Sequence, residues 1–385
     1  MQQKHFVTHT LSALGIAVFA ACSSEAPGSQ PLQPQSRLTS PVEYVYVANS
    51  GSGDISAFQI QSNGALAAVV GSPFAAGTEP ARPVIAPSGK FLYVTNFGSG
   101  NVSGYSIDAS TGALTAVAGS PFSAGQDPNG MGITASGKFA YVSNYDSSIL
   151  TGFAINPSTG KLTELASSPF KTGSDPVGVG IDPRATFAYV ACRSGGGVYA
   201  YKIKSAGALS LITGSPFAAG TDPVLAVVDP SGSFAYVADD GSAEVSAYKI
   251  NAVSGKLTPV AGSPFGAGTN PTGAAVDPND RFVFVPNIGS HDVSVYSLSG
   301  STGALTPVSG SPFGTGTKPQ GPVGIDSEGK FAYVANVGTN NVSAFSIGSN
   351  GALTPVSGSP FAAGTKPVGA ATCQTVGTRC VPPSL

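Results

Sequence analysis

Residues 234–277 read FAYVADDGSAEVSAYKINAVSGKLTPVAGSPFGAGTNPTGAAVD, and this stretch decides the fold. It contains four strand-like runs, FAYVAD (234–239), VSAYKI (245–250), LTPV (257–260) and TGAAVD (272–277), with turn residues between them. Four short antiparallel strands of this kind are typical of one β-propeller blade. A single blade cannot bury both faces of its sheet, so the stretch predicts similar units packed on either side.

The same unit recurs seven times along the chain. The third-position ring of its aromatic-x-Tyr-Val motif returns every 47 to 49 residues, at Tyr46, Tyr93, Tyr141, Tyr189, Tyr236, Phe284 and Tyr333. An SPF motif also recurs once per unit, ending at Phe74, Phe122, Phe170, Phe217, Phe265, Phe313 and Phe361. The repeats predict an all-β, seven-bladed propeller of four-stranded antiparallel blades over residues 42–373, with its rings packed between blades.

The order of the runs indicates how the circle closes. The first unit begins at YVYVAN (44–49) without the run that precedes this motif elsewhere, whereas the last unit ends with the surplus run PVGAATC (367–373). We therefore expect the C-terminal run to form the innermost strand of the first blade, because an unpaired inner edge would be exposed otherwise. Cys373 and Cys380 are candidates for a disulfide at the start of a tail over residues 374–385.

The N-terminal residues have the pattern of an export signal. Lys4 precedes the apolar run LSALGIAVFAA (11–21), which is too short to span a bilayer and ends in small residues before Cys22. This ending resembles a bacterial lipoprotein signal, with Cys22 as the lipidated residue; the alternative is ordinary secretion with an incidental cysteine. Residues 22–41 are rich in Pro, Ser and Gln and are expected to be an extended tether. We predict a protein of the bacterial cell envelope, anchored to a membrane by its lipid.

Composition and motifs exclude several function classes. Charged residues are 10% of the chain, the net charge is −2 and the isoelectric point is about 5.9, so we expect no nucleic-acid partner. The chain has no Walker loop, Rossmann fingerprint, EF-hand or nucleophile elbow. We therefore expect no cofactor and assign no metal ligands.

The repeats resemble those of a known family. FAYVANVGTNNVSAFSI (331–347) and YVTN (93–96) are similar to YVTN-type propellers, and in particular to the lactonase family with its 6-phosphogluconolactonase-like and muconate-cycloisomerase-like members. The resemblance implies a lactone hydrolase with a histidine just after the proline that opens the innermost strand, and with arginine and glutamate at the mouth. The corresponding positions here hold no histidine: Ala81, Asn129, Val177, Val224, Thr272, Gln320 and Val368. His291 is the only histidine after the signal, and its setting NIGSHDV favours an exposed turn over an acid-base role.

One ring of equivalent positions ends the second strand of each unit: Asn49, Asn96, Asn144, Cys192, Asp239, Asn287 and Asn336. Asn and Asp side chains commonly bond to backbone amides two residues on, which favours a turn role. Cys192 is therefore interpreted as a turn residue. The alternative is a nucleophile activated by the neighbouring Arg193, which would lower the pKa of the thiol.

A second ring precedes the proline of each innermost strand: Glu79, Asp127, Asp175, Asp222, Asn270, Lys318 and Lys366. Turn chemistry explains the acids but not the lysines. We predict that the acids and the lysines lie on opposite sides of the central opening and contact a ligand. For an enzyme, Arg82 would stabilise negative charge on a lactone oxygen and Asp175 would be the base. Two functions remain open: a hydrolase of a sugar or related lactone, by resemblance, and a non-enzymatic propeller that binds a small molecule or a protein.

Overall fold

The alternating strand and turn chemistry of each repeat produces antiparallel hairpins that are stacked around a central axis. The structure is a computed structural model and describes residues 41–383. The predicted signal segment, the lipid-anchor Cys22 and the tether up to residue 40 therefore lie outside the described residues. Within 41–383 the chain forms seven antiparallel sheets, which are the seven blades of a β-propeller. The predicted fold class is confirmed.

Each blade has four strands, ordered from the central axis outward. The innermost strands are Pro367–Val376 in blade 1 and then Pro80–Ile85, Pro128–Ile133, Pro176–Ile181, Pro223–Val228, Ala275–Val276 and Gly324–Ile325. The second strands are Glu43–Asn49, Phe91–Asn96, Phe139–Asn144, Phe187–Cys192, Phe234–Asp239, Phe282–Asn287 and Phe331–Asn336. The third strands are Asp54–Ile60, Asn101–Ile107, Ile149–Ile155, Gly197–Ile203, Glu244–Ile250, Asp292–Leu298 and Asn341–Ile347.

The outer part of each blade is short. The fourth strands are Leu66–Ala68, Leu114–Ala116, Leu162–Glu164, Leu209–Leu211, Leu257–Pro259, Leu305–Pro307 and Leu353–Pro355. The SPF motif adds a two-residue strand against the third strand in six blades: Phe74–Ala75, Phe122–Ser123, Phe170–Lys171, Phe265–Gly266, Phe313–Gly314 and Phe361–Ala362. Short outer strands leave little exposed edge for pairing with another chain. A 3-10 helix covers Phe97–Ser99, and among the described residues no helix has the length and hydropathy to cross a membrane.

The C-terminal strand closes the circle. Pro367–Val376 pairs antiparallel with Glu43–Asn49 and so completes blade 1 from the other end of the chain. The sheet then continues beyond the predicted boundary at residue 373, because Arg379–Val381 folds back onto the end of the closing strand. A disulfide joins Cys373 to Cys380 within this hairpin. The first part of the predicted tail is therefore part of the sheet of blade 1.

Tyrosine hydroxyls join each blade to the next. Six of the aromatic-x-Tyr-Val tyrosines are fully buried and donate to a glycine carbonyl in an outer turn of the following blade, as Tyr46 does to Gly112 at 3.0 Å. Tyr333 donates to Gly64 at 3.1 Å and thereby links blade 7 to blade 1. Phe284 occupies the equivalent place in blade 6 without a hydroxyl. The predicted packing of these rings between blades is thus reinforced by hydrogen bonds.

Strand direction defines two faces of the disc. Second strands end, and innermost strands begin, at what we call the mouth face, where Asn49 pairs with Pro367. The opposite face, called the far face, holds the turns between innermost and second strands and between third and fourth strands. Because every blade has the same direction, equivalent turns of all seven blades lie on the same face.

Candidate functional site

The residues before the innermost prolines have a backbone role that all seven share. Each adopts a left-handed conformation with φ between 51° and 56°, and they are Glu79, Asp127, Asp175, Asp222, Asn270, Lys318 and Lys366. Each carbonyl accepts a hydrogen bond from the backbone N–H of the residue that follows the second strand, as Glu79 O does from Phe97 N at 2.9 Å. The turn therefore selects this ring's backbone geometry in acidic and basic blades alike.

The central opening at the mouth face is a cavity of about 530 Å³. All seven residues that follow the innermost prolines line it: Ala81, Asn129, Val177, Val224, Thr272, Gln320 and Val368. These are the positions at which the family resemblance implies a histidine. The side chains of Asn129 and Gln320 make no hydrogen bond within residues 41–383, since both residues bond only through their backbones. Two amide groups are thus available to a ligand.

A further ring of lining residues was missed by the sequence analysis. It consists of the residue after each second strand and includes Ser50, Phe97, Tyr145, Arg193, Asp240 and Ile288. The sequence contains a signal for this ring. The position lies between a nearly constant Asn and a glycine-rich turn, yet its own residue type changes from blade to blade. In a repeat protein, packing between units keeps most positions alike, so a position that varies is one that this packing does not constrain.

Arg82 forms the floor of the cavity. Its position, two residues after the proline, is glycine in five blades and leucine in blade 5, so the guanidinium has space to cross the channel. A Cβ atom at Gly178 would lie 2.2 Å from Leu225 Cδ1 and 3.2 Å from Arg82 Nη1, which places both side-chain ends beside that glycine. Arg82 Nη1 is buried and has no hydrogen-bond partner in the part of the chain that the structure describes. Burial lowers the pKa of the guanidinium to about 10, so it remains positively charged at neutral pH.

Below Arg82 the channel becomes apolar. A second cavity of about 330 Å³ lies there, lined by Val, Ile, Ala and Pro side chains of the innermost strands and by Pro382 and Pro383. The hydroxyl of Thr372, one of its few polar side chains, donates to the Ile325 carbonyl. A polar ligand can therefore meet the guanidinium from the mouth side.

An ion pair and two aromatic rings form one side of the mouth. Arg193 Nη2 donates to Asp240 Oδ2 and lies 3.9 Å from Asp222 Oδ2, while Asp240 Oδ1 is buried and no described residue donates a hydrogen bond to it. The rings of Phe97 and Tyr145 are 6.2 Å apart at their centroids. Burial, with a smaller effect of the Asp175 carboxylate, raises the pKa of the Tyr145 hydroxyl, which therefore stays protonated.

The structure brings together only part of the predicted site. Glu79 and Arg82 line the mouth cavity, whereas Asp127, Asp175, Asp222, Asn270, Lys318 and Lys366 are absent from its lining. Asp175, the predicted base, instead accepts a hydrogen bond from the Ser194 hydroxyl. All seven residues of this ring share the left-handed turn, and the residues that line the channel in every blade lie two positions further on, after the proline. The carboxylates that line the cavity are those of Glu79 and Asp240, and Asp175 is not among them.

The ring at the ends of the second strands is structural, but its bonds differ from those predicted. Asn49 Nδ2 donates to Asp54 Oδ1 at 2.6 Å and to Ser56 Oγ at 2.9 Å, so the bonds cross the hairpin and do not reach the amides two residues on. Cys192 holds the equivalent place in blade 4 and is fully buried. Burial raises the pKa of its thiol to about 11, and the Arg193 guanidinium is bound to Asp240. The turn interpretation of Cys192 therefore fits its surroundings.

His291 lies in an exposed turn and is not a lining residue of the cavity. It has a left-handed backbone with φ of 62°, at a position that is glycine in three other blades. Its Nδ1 accepts a hydrogen bond from the backbone N–H of Lys318 at 3.1 Å. No group of three or more His, Cys, Asp or Glu residues within 41–383 is arranged to hold a metal ion.

Comparison with known proteins places this architecture in a family. The family model described as lactonase, 7-bladed beta-propeller, matches residues 42–175 and 227–318. The chain belongs to this lactonase family. None of the curated proteins matches it. The lactonase-family match includes the innermost strands that carry Arg82 and Asn129, and the second strand that precedes Asp240.

Solved structures show the same fold at low sequence identity. A putative 6-phosphogluconolactonase from Bacteroides fragilis is 22% identical, covers 88% of this chain and 99% of its own, and superposes with a TM-score of 0.74. The periplasmic gluconolactonase PpgL of Pseudomonas aeruginosa is 17% identical, covers 89% of this chain and 100% of its own, and has a TM-score of 0.72. A protein from Lactobacillus plantarum is 17% identical, with coverages of 86% and 99% and a TM-score of 0.73. At these identities the likeness establishes the fold of the lactonase-family chain.

Proposed function

We propose that this lactonase-family propeller hydrolyses a sugar or related lactone in its mouth cavity. The observation that carries the proposal is Arg82, a cation at the cavity floor whose Nη1 is buried and has no hydrogen-bond partner among residues 41–383. A buried guanidinium without a counter-charge is unfavourable unless a ligand supplies one. Both the oxygen that becomes negative during lactone opening and the carboxylate of the product could do so.

The reaction needs water and one proton transfer. Water adds to the lactone carbonyl carbon, the ring C–O bond breaks, and one proton of the water ends on the departing ring oxygen. The other proton is on the carboxylic acid that forms, and this acid releases it to solvent at neutral pH. Arg82 would donate hydrogen bonds to the carbonyl oxygen as it gains negative charge. Asp240 Oδ1, buried and unpartnered, would accept a hydrogen bond from the attacking water while Arg193 holds the other carboxylate oxygen.

Polar groups above the floor would orient the lactone ring. The free amides of Asn129 and Gln320 line the cavity from blades 3 and 7 and can bond to hydroxyl groups of a sugar. Valines from three other blades supply the apolar part of the wall, which is the usual combination in a small-molecule site.

We propose further that the protein is exported and anchored by a lipid at Cys22. The supporting evidence is the sequence pattern of residues 1–22, with a cationic start, a short apolar run and small residues before the cysteine. An exported site meets extracytoplasmic lactones, which argues against a phosphorylated cytosolic sugar as substrate. Substitution Cys22→Ser is expected to move the protein from the membrane fraction to the soluble fraction after a wash at about 0.5 M salt, which screens purely electrostatic attachment. Unchanged retention would contradict a lipid anchor.

The activity is tested by proton release from D-glucono-1,5-lactone with the purified full-length protein, after subtraction of the spontaneous rate. Loss of an oxyanion-stabilising donor lowers the rate by about 100-fold or more, which is the effect expected for Arg82→Gln. Lys318→Gln removes a positive charge from the rim without touching the cavity and should leave the rate unchanged. A wild-type rate equal to the spontaneous rate, or equal rates for the two variants, would contradict the proposal.

A non-enzymatic binding function is the second candidate. It is favoured by one observation: within residues 41–383 the cavity lining contains no histidine, and its Arg193 and Asp240 already neutralise each other. In that case gluconate would bind in the mouth, which calorimetry detects, while the lactone would not be turned over.

A further inference from the structure

The two faces of the disc carry different charge, which the net charge of the chain conceals. Acidic side chains predominate in the mouth-face turns, as at Glu79, Asp127, Asp146, Asp175, Asp222 and Asp240. Most lysines are on the other side, at or beside the far-face turns. Because the blades share one direction, these charges face opposite half-spaces, so the disc is polarised along its axis.

The far-face charge is concentrated on three consecutive blades. We define the basic sector as the exposed lysines of blades 3, 4 and 5 at this face, namely Lys138, Lys161, Lys202, Lys204, Lys249 and Lys256. They lie at the ends of adjoining strands or in the turns that follow, so equivalent positions of neighbouring blades present them in the same direction.

Few acids compensate the basic sector. Asp182 and Asp229, in the far-face turns of blades 4 and 5, are buried and accept backbone hydrogen bonds at 2.7 Å from Phe187 and Phe234. Their role is to fold the turns, and Asp182 is also paired with Arg184. Glu164, on the outer edge of blade 3, is the exposed acid next to the sector.

An exposed apolar side chain lies within the sector. Val253 is 87% exposed at the tip of the turn that connects the third and fourth strands of blade 5. Lys249 precedes it and Lys256 follows it, so an apolar tip is flanked by two cations. Basic residues around an exposed apolar side chain suit the interface of an anionic membrane.

The chain also enters the propeller at the far face. Val42 and Thr375 are joined by two hydrogen bonds, from Thr375 N to Val42 O at 2.7 Å and from Val42 N to Thr375 Oγ1 at 2.8 Å. This contact lies beside Glu43, the far-face end of the second strand of blade 1. The first described strand therefore begins at the far face, in blade 1, where Asp326 and Glu328 are close to Glu43, and not within the basic sector of blades 3 to 5.

We propose that the far face docks onto an anionic lipid bilayer through the basic sector and Val253, so that the mouth opens away from the membrane. Charge complementarity favours the lipid, and the acidic mouth face would be repelled by the same surface. The inference is independent of lactone hydrolysis. An anchor at Cys22, if the preceding proposal holds, would raise the local concentration of lipid at the face where the chain enters.

The test uses the full-length Cys22→Ser protein, so that no acyl chain contributes to binding. Sedimentation with vesicles compares phosphatidylcholine alone with equal parts of phosphatidylcholine and phosphatidylglycerol, at low salt and at about 0.5 M salt. We expect binding to the anionic vesicles that is lost at high salt. Each lysine near such a surface contributes about fivefold, so Lys204→Gln with Lys256→Gln should weaken binding by about 25-fold.

A matched pair on the other face is the control. Lys318→Gln with Lys366→Gln removes the same charge from the mouth face and should not weaken binding. Equal losses of vesicle binding for the two double variants, or binding that does not depend on phosphatidylglycerol, would overturn the proposal. Displacement of the protein from anionic vesicles by an equal charge concentration of duplex DNA would also overturn it, since the sector would then be a general polyanion site.

Discussion

Asp239→Asn is predicted to stabilise the propeller and to remove part of its pH dependence. Asp239 ends the second strand of blade 5, at the position that is asparagine in five other blades. Its Oδ2 accepts hydrogen bonds from the N–H and hydroxyl of Ser246, whereas its Oδ1 is buried without a partner. An asparagine there could donate to Glu244, as Asn287 Nδ2 does to Asp292 at 2.7 Å in the next blade.

The magnitude follows from the pKa of this carboxyl. Burial, partly offset by the bonds to Ser246, raises the pKa of Asp239 from 3.8 to about 6. Each pKa unit corresponds to about 1.4 kcal/mol, so holding the ionised form at pH 7 costs the folded state about 3 kcal/mol. The folded protein binds this proton more tightly than the unfolded chain. The contribution of Asp239 to stability is therefore full below about pH 4 and is lost as the pH rises to about 6.

The assay is urea denaturation of the wild type and Asp239→Asn at about pH 4 and pH 8. We expect the variant to be more stable by about 1 to 3 kcal/mol at the higher pH, with a smaller difference at the lower pH. Other carboxyl groups whose pKa burial raises, such as those of Asp280 and Asp326, contribute equally to the pH dependence of both proteins and cancel in the comparison.

The reverse substitution in blade 6 is the matched control. Asn287→Asp would bury a carboxylate beside Asp292 and should lower stability at pH 8 by about 2 kcal/mol or more. An Asp239→Asn protein that is no more stable than the wild type at pH 8, or whose advantage is the same at both pH values, would refute the reasoning.

Three further predictions concern closure of the ring. A chain that ends at Lys366 lacks the innermost strand of blade 1. It should aggregate, as light scattering would show, or melt far below the wild type, as circular dichroism would show. An unchanged melting temperature would contradict closure by this strand. Replacing Cys373 and Cys380 by serine should lower stability in urea by about 2 kcal/mol, and a reducing agent should have the same effect on the wild type alone. Tyr333→Phe removes the hydroxyl that bonds to Gly64 and should cost about 1 kcal/mol, whereas no change would show that this link between blades is dispensable.

The blades were predictable because the same strand and turn residues recur in every unit. Seven copies of one turn and strand pattern leave little freedom in topology, and the missing first run pointed to closure by residues 367–373. The boundary at residue 373 was less predictable. The fold-back of Arg379–Val381 depends on pairing with the closing strand, which has no counterpart in the other repeats.

The site was predictable in position but not in register. Sequence placed the ring at Asp175 and its equivalents at the opening, yet the residues that line the channel in every blade lie two positions further on, after the proline. The charges of the ring do not reveal this shift of two residues. Arg82 was identifiable as an unusual charge in an innermost strand, whereas the pairing of Arg193 with Asp240 joins residues 47 positions apart. Such contacts arise between blades.

The polarity of the disc was likewise hidden in the composition. A net charge of −2 suggests no strong field, but the alternation of turns sorts the charges by face. Once the strand directions are known, Lys204 and Lys256 lie on one side and Asp175 and Asp222 on the other. In a repeat protein, charged residues should therefore be counted separately for the turns on each face.

The mouth, with Arg82 at its floor, is proposed to be the ligand site. The decisive measurement is a crystal structure of the protein soaked with gluconate, the product of the lactone used in the assay. We expect gluconate in the cavity of about 530 Å³, with its carboxylate bonded to Arg82 and its hydroxyls near Asn129 and Gln320. Gluconate bound elsewhere, with Arg82 still unpartnered, would contradict it.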